Sequence, residues 1–92
     1  MGREVRLFKS EERKDRSEVS RFLHHLADKV AEGDVVLSHG REELSLSLPS
    51  NVILEVQAED EEKGARGTQH SLEVEIKWFD EGDEGEGTLE LK

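Results

Sequence analysis

The strictest pattern in the sequence runs from residue 72 to residue 78, where apolar and charged residues alternate without exception. The apolar positions are Leu72, Val74, Ile76 and Trp78. The charged positions between them are Glu73, Glu75 and Lys77. Successive side chains of an extended chain point to opposite faces, so this segment predicts a β-strand with one apolar and one charged face. Such a strand needs partner strands and a layer that covers its apolar side, which restricts the chain to folds that contain a sheet.

A second pattern, with the period of an α-helix, begins at Val19. Counted from that residue, apolar side chains recur at offsets of 3, 4, 7, 8 and 11, which lie on one face of a helix. They are Phe22, Leu23, Leu26, Ala27 and Val30. Asp15 and Glu18 have the spacing of a capping box, and Gly33 can adopt the left-handed conformation that closes a helix. The sequence therefore predicts a helix from about Arg16 to Glu32.

Other segments also show the two-residue period of a strand. They are residues 4–9, 34–38, 42–48 and 51–60. The second and third of these predict a hairpin with its turn near His39 and Gly40. The fourth places Leu54 and Val56 inward, and the charged stretch from Glu59 to Thr68 that follows predicts an exposed, mobile loop.

Together these segments predict an α+β fold of two layers. One α-helix packs on one face of a mainly antiparallel sheet of five or six strands, in the order β-α-β-β-β-β. Residues 1–80 are expected to form a single domain, since the chain of 92 residues is long enough for one core. Residues 81–92 are rich in acids and glycine and are expected to form a flexible tail, in which residues 88–91 either add a short edge strand or fray.

The charge of the chain argues against two classes of partner. There are 23 acidic and 13 basic residues, which gives a net charge of −10 that repels nucleic-acid phosphates and anionic membranes. The longest aliphatic runs are triplets, far shorter than a membrane span or the apolar core of a signal peptide. With no cysteine in the chain, these features favour a cytoplasmic protein that binds neither nucleic acid nor membrane.

The sequence predicts no catalytic, cofactor or metal site. His24 and His25 fall on the polar side of the predicted helix, His39 in a turn and His70 at the start of a strand. These positions do not supply the three or four converging ligands that zinc prefers. No nucleophile motif and no phosphate-binding glycine pattern occurs, so we expect the chain not to be an enzyme and to carry no cofactor.

The outer face of the predicted sheet is the candidate interaction surface. Glu55, Glu73 and Glu75 share this face because each neighbours an inward apolar residue, and an open face lacks the cleft that acid–base catalysis needs. Trp78 is predicted to fill the core. Three apolar residues fall on the outer side and extend the surface: Phe8, Ile53 and Phe79.

By elimination, the sequence favours a non-enzymatic protein-interaction or self-assembly module. Its partner would be an unidentified protein or, because small cores gain stability from association, a second copy in a homodimer. The alternative is a small-ligand or metal-binding accessory domain that uses the histidines or a cavity between helix and sheet.

Three segments resemble the amphi-Trp domain proteins. They are FKS at residues 8–10, LADKVAEGD at residues 26–34 and the closing strand LEVEIKW at residues 72–78. The resemblance covers most of Arg6 to Asp80 and implies a small domain, frequent in archaea, that brings no catalytic or binding residue with it. Asp15 replaces the helix-capping serine expected in the family, and the chain is richer in lysine than salt-adapted relatives.

Overall fold

One helix and four strands make up residues 2–80, the part of the chain that this computed structural model describes. They are α1 (Arg16–Glu32), β1 (Asp34–His39), β2 (Glu42–Ser47), β3 (Ile53–Glu62) and β4 (Thr68–Lys77), with a short 3-10 turn at Gly64–Arg66. The chain divides after Leu48 into two compact units. The first contains α1, β1 and β2, and the second contains β3 and β4.

Helix α1 begins and ends where the sequence predicts. The Glu18 backbone N–H donates to the Asp15 carboxylate at 2.8 Å, and the Asp15 N–H donates to Glu18 Oε1 at 3.3 Å, which is the reciprocal pair of a capping box. At the other end Gly33 has φ 91°, and its N–H bonds to the carbonyls of Lys29 and Val30. Both predicted signals are therefore confirmed. No helix in the described residues is long and apolar enough to cross a membrane.

Strands β1 and β2 form an antiparallel hairpin that packs against α1. Val35 lies opposite Leu46 and Leu37 lies opposite Leu44, so these apolar side chains share one face. Val35, with 6% of its surface exposed, is the buried residue of the described core. Contacts join α1 to β1, and the Leu48 N–H donates to the Gly33 carbonyl at 2.8 Å, which fixes the end of the hairpin beside the end of the helix.

Strands β3 and β4 form a longer antiparallel hairpin of ten paired residues, from Ile53 opposite Lys77 to Glu62 opposite Thr68. The register places apolar residues opposite apolar ones and polar residues opposite polar ones over most of its length. The turn is closed by the Lys63 N–H, which donates to the Gly67 carbonyl at 2.8 Å. The odd-numbered residues of β3 and β4 therefore lie on one face of the hairpin and the even-numbered residues on the other.

The α+β class is confirmed, but the predicted sheet of five or six strands is wrong. The four strands form two separate two-stranded sheets, β1–β2 and β3–β4. The predicted strand at residues 4–9 is also absent from the described structure, where Val5 and Leu7 are 73% and 65% exposed. Two apolar side chains on one side of a short charged segment bury too little area to hold it against a sheet.

The predicted loop from Glu59 to Thr68 is shorter than expected, because β3 continues to Glu62 and β4 begins at Thr68. Backbone pairing set in register by the apolar part of the hairpin continues through polar residues, since the ladder hydrogen bonds do not depend on side chains. The predicted tail and the edge strand at residues 88–91 lie outside the described residues. That residues 1–80 form a single domain stays a prediction.

Candidate functional site

One face of the β3–β4 hairpin is strongly acidic. It comprises the odd-numbered residues of the two strands, and we call it the acidic face. Its members are Ile53, Glu55, Gln57, Glu59, Glu61, Gln69, Ser71, Glu73, Glu75 and Lys77. Five carboxylates and one lysine thus share a two-stranded surface, because side chains of one parity point to the same side.

Lys77 lies between two of these carboxylates. Its ammonium donates to Glu55 Oε1 at 2.7 Å and lies 3.9 Å from Glu75 Oε1. Glu55 and Glu75 are directly opposite each other across the hairpin, a placement in which like charges repel. The hydrogen bond and the charge of Lys77 lower the pKa of Glu55, and the same contacts raise the pKa of Lys77. Lys77 therefore relieves the repulsion within this cross-strand pair.

Glu73 differs from its two acidic neighbours. Its cross-strand partner is the neutral Gln57, and it forms no ion pair within residues 2–80. Its carboxylate is therefore the member of the predicted trio whose charge is not offset by Lys77. It lies at the middle of the acidic face, between the Glu55–Glu75 pair and the Glu59–Ser71 pair.

The structure brings together four of the six residues of the predicted interaction surface. Ile53, Glu55, Glu73 and Glu75 all lie on the acidic face, and Ile53 is 39% exposed. Phe79 follows β4 by two residues and is 66% exposed. The remaining residue is not on this hairpin.

That remaining residue, Phe8, belongs to the first unit and is half-buried. It lines a cleft of about 710 Å³ whose apolar walls also include Phe22, Val36 and Leu37. The segment before α1, the helix itself and β1 each contribute to this cleft, so it lies within one compact unit. Sequence reasoning named a cavity between helix and sheet as an alternative site but grouped Phe8 with the outer face of a sheet and did not place it in this cleft.

A small charge network borders the cleft. Lys14 Nζ lies 3.2 Å from Glu12 Oε1 and 3.9 Å from Glu18 Oε2, while His39 Nε2 lies 3.5 Å from Glu12 Oε2. The hydrogen bond from Lys14 is the main cause that lowers the pKa of Glu12, and the same bond raises the pKa of Lys14. The rim of the cleft is therefore polar and largely charge-balanced.

The opposite face of the β3–β4 hairpin is apolar over three of its five cross-strand pairs, and we call these three pairs the apolar ladder. Its cross-strand pairs are Leu54 with Ile76, Val56 with Val74, and Ala58 with Leu72. The sequence predicts that these side chains are buried, but within this unit no element covers them. Leu54, Val56, Leu72 and Val74 are 65%, 60%, 75% and 60% exposed.

Trp78 follows the end of β4 and is half-buried. It has the parity of Ile76, so it extends the apolar side of the strand by one position. The prediction that it fills a core is met only in part, since half-burial leaves some of the ring in contact with solvent.

The four histidines lie in three separate places, with His24 and His25 next to each other on α1. His24 and His25 are exposed on α1, His39 faces Glu12, and His70 Nδ1 lies 2.7 Å from Asp60 Oδ1. Among residues 2–80, no group of three or more histidine or acidic side chains could hold a metal ion. Each histidine therefore has at most one potential co-ligand nearby in the pairs described here.

The profile of the Amphi-Trp domain family matches residues 1–92, so the chain belongs to this family, and the resemblance in the three segments is confirmed. No curated protein and no solved structure matches the chain.

Proposed function

We propose that this Amphi-Trp domain is a non-enzymatic, cytoplasmic protein-interaction or self-assembly module, whose acidic face binds a basic protein partner. The observation that carries the proposal is the concentration of five carboxylates and one lysine on one face of the β3–β4 hairpin. Opposite charges across an interface steer association and select partners.

The arrangement of the acidic face fits the docking of a protein surface better than the binding of a single ion. Ile53 at one end is 39% exposed, and Phe79 just beyond β4 is 66% exposed, so apolar area borders the charges. Glu73 is free of ion pairs in the described residues and is available to a lysine or arginine of the partner. Exposed aromatic side chains such as Phe79 are enriched at protein interfaces, and charged groups around them fit the polar rim of such a surface.

The lowered pKa of Glu55 supports a non-enzymatic role for this carboxylate. A general acid at neutral pH needs a carboxyl group with a raised pKa, which requires burial or an unshielded like charge. Lys77 instead lowers the pKa of Glu55 through a hydrogen bond and its charge. Glu73 and Glu75 are exposed and Glu55 is half-buried, so within the β3–β4 hairpin no element excludes water from these carboxylates.

A comparison of charge variants tests the proposal. The bait proteins are the wild type, a Glu73→Gln/Glu75→Gln variant of the acidic face, and a Glu42→Gln/Glu43→Gln control that makes the same charge change on β2. We expect one basic protein to be captured from native lysate by the wild type and the control. Capture should fail with the acidic-face variant, and it should weaken as salt rises, because exposed charges are screened. Equal capture by both variants, or no reproducible partner, would contradict the proposal.

A second candidate function is binding of a small ligand in the first unit. The cleft of about 710 Å³ has apolar walls and a charged rim, which is the composition of many small-molecule sites. A thermal-shift screen separates this candidate from the first one. A compound that raises the melting temperature of the wild type but not of a Phe22→Ala variant would favour the ligand-binding role.

A further inference from the structure

We propose that the apolar ladder of the β3–β4 hairpin is a self-association surface, covered in solution by the same ladder of a second copy of the chain. The inference rests on the self-assembly part of the proposed function. It uses the opposite face from the one proposed for a basic partner, so the two surfaces can be tested separately.

The ladder is a continuous apolar surface that is exposed to solvent in this unit. Its three cross-strand pairs are adjacent along the strands, and no charged side chain interrupts them between Leu54 and Ala58 or between Leu72 and Ile76 on that side. Four of the side chains are at least 60% exposed. A two-stranded hairpin is at best marginally stable in water, so this one gains stability when its apolar side is covered.

The area of the ladder fits a weak, reversible dimer. Its Leu, Val and Ile side chains, with Ala58 and the neighbouring Trp78, would remove roughly 1,000 Å² of surface from water over two copies. That value is in the range of weak, transient protein interfaces and well below the area of obligate dimers. The dimer should therefore depend on concentration.

The pattern of charge and size selects an antiparallel pairing of the two ladders about a two-fold axis near Val56 and Val74. One end of the ladder continues into the Asp60–His70 pair, whose side-chain atoms lie 2.7 Å apart. In the antiparallel arrangement the polar ends of the two copies point away from each other, so their carboxylates do not meet. The larger Leu54–Ile76 pair of one copy then covers the smaller Ala58–Leu72 pair of the other.

An identical copy is the occupant that this surface matches best. The three pairs of the ladder carry no charge that would select a basic or an acidic partner, and a second copy presents a ladder of the same width and length. The net charge of −10 on each chain opposes association at low salt. Self-association through the ladder should therefore strengthen with salt, whereas binding of a basic partner should weaken.

Sedimentation equilibrium of the full chain tests the inference at about 0.1 M and about 1 M salt, where the screening length falls from about 10 Å to about 3 Å. We expect the average mass to rise toward twice the monomer mass with concentration, and to rise further at high salt. Trp78 is the single tryptophan, so its fluorescence should move to shorter wavelength over the same concentration range.

A Val56→Thr/Val74→Thr variant keeps the β-branched shape but places hydroxyl groups at the centre of the ladder. We expect its dimer dissociation constant to be at least tenfold higher than that of the wild type, so it should remain monomeric at concentrations at which the wild type dimerises. A Val5→Thr/Val36→Thr control makes the same chemical change at valines that are 73% and 55% exposed in the first unit, and it should associate normally. If the double ladder variant loses its strand signal in circular dichroism, Leu72→Thr at the most exposed ladder position replaces it.

A wild type that stays monomeric at every concentration and salt level would overturn the inference, and so would a dimer that the ladder variants leave unchanged. A monomer that still captures a basic protein would refute only the ladder interface. A dimer that captures no basic protein would refute only the role of the acidic face.

Discussion

The Lys77 ammonium reaches across the β3–β4 hairpin to Glu55 Oε1 at 2.7 Å, although the residue directly opposite Lys77 is Ile53. The contact is diagonal, and it brings the ammonium to within 3.9 Å of Glu75, which does lie directly opposite Glu55. One lysine thus serves two carboxylates that would otherwise repel each other across the strands. The hairpin therefore keeps its cross-strand register although its acidic face carries several like charges.

Replacing Lys77 should weaken the hairpin. In a Lys77→Gln variant the Glu55–Glu75 pair loses its counter-charge, so the thermal midpoint should fall by a few degrees. The drop should shrink at high salt, because the repulsion between exposed carboxylates is screened. A Lys77→Gln/Glu55→Gln variant is the control, since it removes the repulsive pair as well, and it should recover most of the loss. An equal drop in both variants would show that Lys77 acts through packing of its stem.

The stability of the hairpin should depend on pH in a direction set by the pKa shifts of Glu55 and Lys77. The pKa of Glu55 is lowered from its usual 4.5, so its stabilising effect is present above that value and is lost as pH falls through the lowered folded-state pKa. The pKa of Lys77 is raised from its usual 10.5, so its effect is present below that value and is lost as pH rises through the raised pKa. The contribution of the pair is therefore full between these limits.

Unfolding midpoints of the wild type and a Glu55→Gln variant, measured from acid to neutral pH, isolate this contribution. Acidification also reduces the self-repulsion of the whole acidic chain, so the informative quantity is the difference between the two proteins. We expect that difference to be largest at neutral pH and to vanish in acid. A constant difference across the range would exclude the Lys77 contact as its cause.

Local patterns predict much of this fold, and the residues around α1 show why. Asp15, Glu18 and Gly33 act within a few residues of the helix ends, so sequence spacing alone determines both bounds. Alternation likewise predicts the first hairpin and the faces of the strands in both hairpins, but the pairing of β3 with β4 was not predicted. Pairing of strands from different parts of the chain is not a local property, so the expected single sheet could not be inferred reliably from alternation.

The same distinction between local and non-local determinants applies to the residues of the candidate surface. Glu55, Glu73 and Glu75 share a face because parity determines it within one hairpin. The position of Phe8 depends on how an irregular segment packs against α1 and β1, and no periodic signal reports that. The contact of Lys77 with Glu55 depends on the register of β3 and β4, which places Glu55 diagonally across from Lys77, so parity along β4 alone does not reveal it.

Removing the N-terminal cap should destabilise α1. An Asp15→Ala variant loses the carboxylate that accepts the Glu18 N–H at 2.8 Å, at an expected cost of about 1 kcal/mol in the free energy of unfolding. Urea titration followed by circular dichroism measures this value. Asp28→Ala removes the same charge from an exposed position near the other end of the helix and is the control. A cost for Asp28→Ala as large as that for Asp15→Ala would mean that net charge, and not capping, is responsible.

The C-terminal end of the helix should be sensitive to a single methyl group. Gly33 has φ 91°, a conformation in which a side chain is strained, so Gly33→Ala should lower the free energy of unfolding by about 1 kcal/mol. An added Cβ would lie 3.6 Å from the Leu48 carbonyl oxygen, an ordinary contact, so the cost comes from the backbone conformation. Gly2→Ala is the matched control, because nothing lies within 4 Å of a Cβ there and the residue has no positive φ. Urea titration should show a lowered midpoint for Gly33→Ala alone. If Gly33→Asn, whose residue type tolerates the left-handed region better, were as unstable as Gly33→Ala, a steric clash would replace backbone strain as the explanation.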